Sequence, residues 1–252
     1  PLMLASVAAE QGYRVNVLQP SQDSTGFPNR DRWQAALSQL GVNAFTTDWR
    51  FARTRQQHGM SQAALLESWD AASDGRLLEL LPLRLATHIR MWQPDVICVE
   101  STGKDDAVET VWRSTIETAN RIASGSDKRS ATLDAAGLQP WSARRIIRRS
   151  HEESTALEYH ADELLPTLRT TCGLIADTWY LNSNIKNDLY QDEVAYTIHS
   201  ESEAVTPREM FQGLTLVPGS GGRRELRRVT VDPHDLQVII DKHHTLRMAV
   251  AG

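Results

Sequence analysis

The chain has 252 residues, of which 40% are hydrophobic and 23% are charged, and this ordinary globular mixture excludes wholesale disorder. Its 27 basic and 32 acidic residues leave a formal net charge of −5, which argues against a general nucleic-acid binder. No apolar run approaches the roughly 18 residues of a transmembrane helix, so we expect no membrane span. The two cysteines, Cys98 and Cys172, are too few for a disulfide framework or a cysteine-based zinc site.

Apolar periodicity switches repeatedly between the strand pattern and the helix pattern in the first half of the chain. It predicts strands over residues 13–18, 42–45 and 96–99, and helices over residues 30–40, 61–69, 78–92 and 108–119. We place Pro82 in the first turn of its helix, where the missing N–H costs little. Because such alternation implies parallel strands joined by crossover helices, the sequence predicts an α/β fold, a Rossmann-like three-layer α/β/α sandwich with a mostly parallel sheet.

The two ends of the chain differ from this regular part. The chain opens on Pro1-Leu2-Met3-Leu4, in what reads as a helix, without an initiator methionine or a signal-peptide pattern. We therefore expect a processed chain or a piece of a longer one. Residues 1–140 are predicted to form the core. Residues 141–252 are predicted to be the remainder of the same domain, with an irregular C-terminal extension that ends in an amphipathic helix.

An arginine-rich strand is predicted around Ile146 and Ile147, where the chain reads Arg144-Arg145-Ile146-Ile147-Arg148-Arg149. The four arginines admit two interpretations. They could receive an anionic sugar or a phosphate, or they could be the charged residues that blunt a solvated edge strand.

Three carboxylates follow the apolar strand at residues 96–99: Glu100, Asp105 and Asp106. Ligands of open α/β sheets collect beyond the carboxyl ends of the strands, so one of these side chains could bind a divalent metal or act as a base. A purely structural interpretation also exists, because carboxylates at a helix N-terminus are stabilised by the helix dipole.

Histidines and glycines give weaker signals. Eight histidines are present, but none forms a His-x-x-x-His pair at metal-binding spacing. The glycine-rich stretch at residues 219–222 lacks the Gly-Lys-Ser/Thr ending of a phosphate-binding loop, and we interpret it as a flexible turn.

Four pieces of the chain, in order, resemble the PIG-L/LmbE-like de-N-acetylase family. Residues 12–17 (Gly-Tyr-Arg-Val-Asn-Val) resemble the family's second strand, Gly-His-x-Val-x-Val. Arg30 and residues 40–42 (Leu-Gly-Val) match the helix that follows. Residues 89–97 (Ile-Arg-Met-Trp-Gln-Pro-Asp-Val-Ile) match the family's Ile-Arg-x-x-Arg-Pro-Asp-Val-Val run. The tail around residues 211–224 is similar to C-terminal stretches of bacterial members.

The family's catalytic elements are altered in this sequence. Its Ala-His-Pro-Asp-Asp strand supplies two zinc ligands and the general base. That strand would precede Pro1, so the first strand of the core is expected to be missing. The family's His-Pro-Asp-His loop falls on residues 103–106. Asp105 keeps the acidic position, Asp106 stands where the third metal ligand would be, and Gly103 replaces the histidine that stabilises the oxyanion.

The resemblance implies metal-dependent deacetylation of an N-acetylated amino sugar, a small-molecule partner, with the activity impaired or absent in this chain. It implies Asp105 as the catalytic residue, Asp106 as a metal ligand and Arg30 as a substrate contact. Zinc is possible in a full-length parent with additional domains, and we expect none to bind tightly to this chain. The alternatives are a non-catalytic carbohydrate- or protein-binding module and a nucleotide-sugar-binding, glycosyltransferase-type domain.

Overall fold

The computed structural model describes residues 1–19, 22–23, 30–46, 52–53, 60–100, 107–150, 157–183, 192–198, 210–212 and 214. Helices and strands interleave along these segments, so the predicted mixed α/β class is confirmed. In the described part of the chain, no helix combines the length and the apolar character needed to cross a bilayer.

The helices are α1 (Leu2–Leu4), which continues as a π-helical segment over Ala5–Glu10, α2 (Arg30–Gln39), α3 (Gln62–Ala71), α4 (Leu77–Trp92), α5 (Ala107–Ser124), α6 (Ser130–Ala135) and α7 (Cys172–Ser183). The strands are β1 (Val15–Leu18), β2 (Gln22–Asp23), β3 (Val42–Thr46), β4 (Ala52–Arg53), β5 (Val96–Val99), β6 (Arg145–Ser150), β7 (Leu157–His160), β8 (Leu164–Leu165), β9 (Thr170–Thr171) and β10 (Glu193–Ile198). Regular elements thus continue to residue 198.

The chain divides into two compact units. The first comprises residues 1–50, 158–195 and 221–252, and the second comprises residues 51–157 and 196–220. The prediction of one core over residues 1–140 with an extension stays a prediction.

Two of the strand pairs run parallel, as the alternation of helices and strands predicts. In the first unit β1 pairs with β3, with Val17 opposite Phe45. In the second unit β5 pairs with β6, with Ile97 opposite Ile146. Within the second unit β6 lies between β5 and β10, and within the first unit β7 lies beside the start of β10 and β8 pairs with β9. The β8–β9 pair is antiparallel.

In the first unit, Gly41 lies where the chain turns from α2 into β3. Its φ of +80° is in the left-handed region, which glycine adopts without a steric penalty. A Cβ atom at this position would also lie 2.8 Å from the backbone carbon of Ala8. Gly41 therefore ends α2 and also lets the N-terminal helical segment pack directly against this turn.

In the second unit, α4 and α5 pack along their apolar faces. Leu81, Leu85 and Ile89 of α4 are buried at helical spacing, as are Val111 and Ile122 of α5. Helix α3 joins them through Trp69, whose ring centroid lies 6.0 Å from that of Trp112. Trp69 is 2% exposed, so this contact belongs to the core.

The predicted position of Pro82 in the first turn is wrong. Helix α4 begins at Leu77, which places Pro82 inside the helix, in its second turn. A proline there removes one backbone N–H from the helical ladder. The carbonyl left without that donor is on Leu78, which is 75% exposed, so water can hydrate it.

Arg90 ties α4 to the segment that follows α5. Its side chain is fully buried, and Nε donates to the carbonyl of Ala123 at 2.9 Å. Nη1 donates to the carbonyl of Leu138 at 2.8 Å and also to the carboxylate of Asp134. This arginine, which belongs to the Ile-Arg…Pro-Asp-Val run, therefore has a structural role in this chain.

The edge-strand interpretation of the four arginines is wrong, because β6 lies between β5 and β10. Each arginine has a partner within the second unit. Arg145 donates to the carbonyls of Met210 at 2.6 Å and Gln212 at 3.0 Å. Arg148 pairs with Glu117, and Arg144 Nε lies 3.8 Å from Asp95 Oδ1. Burial of the Arg145 and Arg148 side chains also argues against an anion-binding role for these two.

Candidate functional site

The three site residues predicted from the sequence fall at the limits of the described structure. Asp105 and Asp106 lie outside the described residues, so their predicted catalytic and metal-binding roles stay predictions. Arg30 is the first residue of α2, and its side chain is also outside the described part. The described structure begins again at Ala107, where α5 starts.

The carboxyl edge of the parallel β5–β6 pair brings together a carboxylate, a guanidinium and a phenol. The last paired residues are Val99 and Arg148, so Glu100 and Arg149 follow directly at this edge. Arg149 Nη1 lies 3.5 Å from Glu100 Oε2. The hydroxyl of Tyr196, from β10, donates a hydrogen bond to Glu100 Oε1. We call Glu100, Arg149 and Tyr196 the edge cluster.

The edge cluster holds its carboxylate in a fixed orientation while leaving it accessible. The side chain of Glu100 is 51% exposed, whereas Tyr196 is buried. Burial, together with the nearby charge of Glu100, raises the pKa of Tyr196 well above its ordinary value. The phenol therefore stays protonated at neutral pH and serves as a hydrogen-bond donor. The outward-facing lone pairs of Glu100 can accept hydrogen bonds from the hydroxyl or amine groups of a ligand.

The two cysteines do not have the features of nucleophiles. Burial raises the pKa of Cys172 to about 12, and its thiol donates to the carbonyl of Leu2 at 3.0 Å. Burial also raises the pKa of Cys98 well above its ordinary value. A thiolate is needed for nucleophilic attack, so we expect both thiols to react slowly in the folded chain.

We expect the native chain to resist thiol labelling. At pH 8, a pKa of about 12 in place of 9.0 lowers the thiolate fraction of Cys172 by about a thousandfold. Labelling of the native chain by a disulfide reagent should therefore be at least about a hundredfold slower than labelling of the urea-unfolded chain. Rapid labelling of one thiol under native conditions would contradict this assignment, and mass spectrometry would show which cysteine reacts.

A second group of polar side chains lies in the first unit, on β7 and β10. His160 Nε2 lies 3.6 Å from Glu158 Oε2, and His160 Nδ1 lies 3.8 Å from Glu193 Oε2. One ligand atom from each residue can be chosen so that all three lie within 4.8 Å of one another. These are residue types that bind Zn²⁺ in proteins.

Sequence reasoning found part of these groups and missed the rest. It singled out Glu100 from its position after an apolar strand, and Arg149 as one of four arginines. Tyr196 lies 96 residues from Glu100, and no spacing rule connects them. A search for His-x-x-x-His could not find His160. Its partner Glu158 is two residues away, and residues at that spacing share a face only in a strand.

The comparisons with known proteins leave the family open. No family model matches the chain, and no curated protein matches it. A solved structure, that of the conserved protein TT1542 from Thermus thermophilus, is similar at 13% sequence identity and a TM-score of 0.43. The similarity covers 78% of this chain and 85% of that one.

Proposed function

We propose that this chain is an α/β domain of the PIG-L/LmbE type that binds an N-acetylated amino sugar at the carboxyl edge of β5 and β6. The observation that carries the proposal is the edge cluster, in which an accessible carboxylate is oriented by a buried phenol and a guanidinium. Fixed carboxylate and guanidinium groups at the carboxyl end of parallel strands are suited to hydrogen-bond a polar small molecule. The resemblance of residues 89–97 to the family's helix and strand indicates the amino-sugar class.

With this function we propose a Rossmann-like three-layer α/β/α fold with a mostly parallel sheet. Three observations support it. Both β1–β3 and β5–β6 are parallel, and helix α2 connects β1 to β3 in the chain order of a crossover unit. Helix α4 likewise leads directly into β5 through a left-handed residue, Gln93, as the family's Ile-Arg…Pro-Asp-Val run implies.

The described residues of this edge do not fit the zinc ion of the family's chemistry. Their carboxylate is Glu100, and Arg149 already places a positive charge beside it. A second cation at the same carboxylate would be repelled by the guanidinium. The proposal therefore covers sugar binding by the edge cluster. Deacetylation through Asp105 and Asp106 stays the interpretation that the resemblance implies.

Titration with N-acetylglucosamine, followed by NMR or thermal shift, tests the proposal. We expect saturable binding that Glu100→Gln weakens about tenfold or more, because a hydrogen bond to a charged group contributes about 1.5–3 kcal/mol. Glu79→Gln is the matched control, since Glu79 of α4 forms an exposed pair with Arg76, the residue that precedes this helix. Binding that is absent, or unchanged by Glu100→Gln, would overturn the proposal.

A parallel titration with a uridine diphosphate sugar separates this function from the glycosyltransferase-type alternative. A diphosphate carries negative charge, which Glu100 repels and Arg149 attracts. We expect the free amino sugar to bind more tightly than the nucleotide sugar, and we expect Arg149→Met to weaken binding of the amino sugar. Much tighter binding of the nucleotide sugar, strengthened by Glu100→Gln, would favour the alternative instead.

A further inference from the structure

The group formed by Glu158, His160 and Glu193 is built on a rigid part of the first unit. Strand β7 alternates, with Leu157 and Tyr159 buried, so Glu158 and His160 project from the same exposed face. Glu193 is the first residue of β10, the neighbouring strand in the sheet. The backbone hydrogen bonds between paired strands fix the Cα positions of their residues. Glu158, His160 and Glu193 are therefore held near one another without any loop rearrangement.

The backbone around His160 is held by hydrogen bonds on both sides. The amide of Ala161 donates to the carbonyl of Asp192 at 2.7 Å, which fixes β7 beside the start of β10. The carbonyl of His160 accepts from the amide of Glu163 at 3.2 Å. The position of the imidazole is therefore defined to within its own side-chain torsions.

The distances between the polar atoms are close to those of a metal site. Ligand atoms about 2.0–2.1 Å from a tetrahedral Zn²⁺ lie about 3.4 Å from one another. The two contacts of His160 are 3.6 Å and 3.8 Å long. The two contacts use different ring nitrogens of His160. For one ring nitrogen and both carboxylates to bind the same ion, the side chains must rotate until both carboxylates lie near that nitrogen. All three side chains are about half exposed, so solvent rather than protein surrounds about half of each.

The alternative role of this group is an ion pair between a protonated His160 and its carboxylates. Ion pairs between exposed groups contribute little stability, because water screens them. Little stability is therefore lost when metal coordination replaces these contacts. Asp162 and Asp192 lie beside the group in the chain and add negative charge that attracts a cation.

We propose that Glu158, His160 and Glu193 bind one divalent transition-metal ion, with Zn²⁺ as the best match to one imidazole and two carboxylates. Water fills the remaining coordination position or positions. Because only three exposed side chains bind the ion, its affinity is moderate. This site consists of other residues than the edge cluster, so its failure would leave the proposed sugar binding untouched.

Isothermal titration of the whole chain with Zn²⁺ and with Co²⁺ tests the site. We expect the wild type to bind one more equivalent than His160→Ala, with a visible Co²⁺ absorption that this variant lacks. Glu193→Gln should weaken binding at least about tenfold, since even outer partners of metal ligands contribute about 10–100-fold. Saturation should raise the melting temperature by about 5–10 °C at a hundredfold excess over Kd.

His88→Ala is the matched control, because His88 lies in the second unit against Trp92, with ring centroids 5.0 Å apart. It should leave the additional equivalent in place. Circular dichroism of each metal-free variant shows whether its fold is retained, and Glu158→Gln provides a second carboxylate variant. Equal stoichiometry and affinity for the wild type and His160→Ala would overturn the site, as would an equal loss in His88→Ala.

Discussion

Replacing Arg90 with methionine should lower the free energy of unfolding by about 3 kcal/mol. The guanidinium is fully buried and donates to the backbone carbonyls of Ala123 and Leu138. Methionine fills similar space but leaves the carbonyl of Leu138 and the carboxylate of Asp134 without this donor, and a buried unsatisfied polar group costs about 1–3 kcal/mol. The carbonyl of Ala123 keeps the amide of Trp141 as a donor at 2.9 Å. Urea denaturation followed by fluorescence measures the change, with an unchanged m-value expected.

Arg76→Met is the matched control for Arg90→Met. Arg76 forms a bidentate pair with Glu79, but both side chains are more than half exposed. Its removal should leave the unfolding midpoint unchanged within error, because exposed pairs are screened by water. Equal effects of the two substitutions would show that the Arg90 contacts do not connect α4 to the segment after α5 in solution.

Trp69→Ala should lower the free energy of unfolding by about 3–5 kcal/mol. The indole is 2% exposed and packs against Trp112. Deleting a buried tryptophan side chain removes apolar area and leaves a cavity that neighbouring residues fill only in part. The same denaturation experiment measures the loss, and Trp69→Phe should recover part of it because a ring remains against Trp112.

An exposed apolar residue supplies the comparison for Trp69. Leu78, on the outer face of α4, is 75% exposed, so Leu78→Ala removes little buried area. We expect a change below about 0.5 kcal/mol, as for surface substitutions in general. A loss at Leu78 as large as that at Trp69 would mean that the outer face of α4 is covered in solution.

The sequence predicted those elements whose signal lies within one segment. The apolar periodicity of residues 78–92 indicates α4, and the run at residues 96–99 indicates β5, with bounds close to those observed. The position of β6 could not be obtained in this way. Four arginines indicate a solvated edge, but their partners, among them Met210 and Glu117, are distant in the chain, and only the fold brings them near.

The candidate sites show the same division. Glu100 was identified because it follows a strand of a predicted parallel sheet, which is a local signal. Tyr196 of the edge cluster and Glu193 of the histidine group both lie on β10. The strands that flank β10 in the sheet cannot be predicted from residue spacing in the sequence. Asp105, Asp106 and Arg30 stay predictions that rest on the family resemblance.

Gly41 has a consequence for recognising relatives of this chain. Both its φ of +80° and the 2.8 Å approach of Ala8 exclude a side chain there, so two independent constraints act on one position. Distant homologues in which the N-terminal helical segment packs against this turn in the same way should retain glycine here, even where the rest of the sequence has diverged. A homologue with a larger residue at the equivalent position would have to seat that helix differently, and this single position would reveal the change.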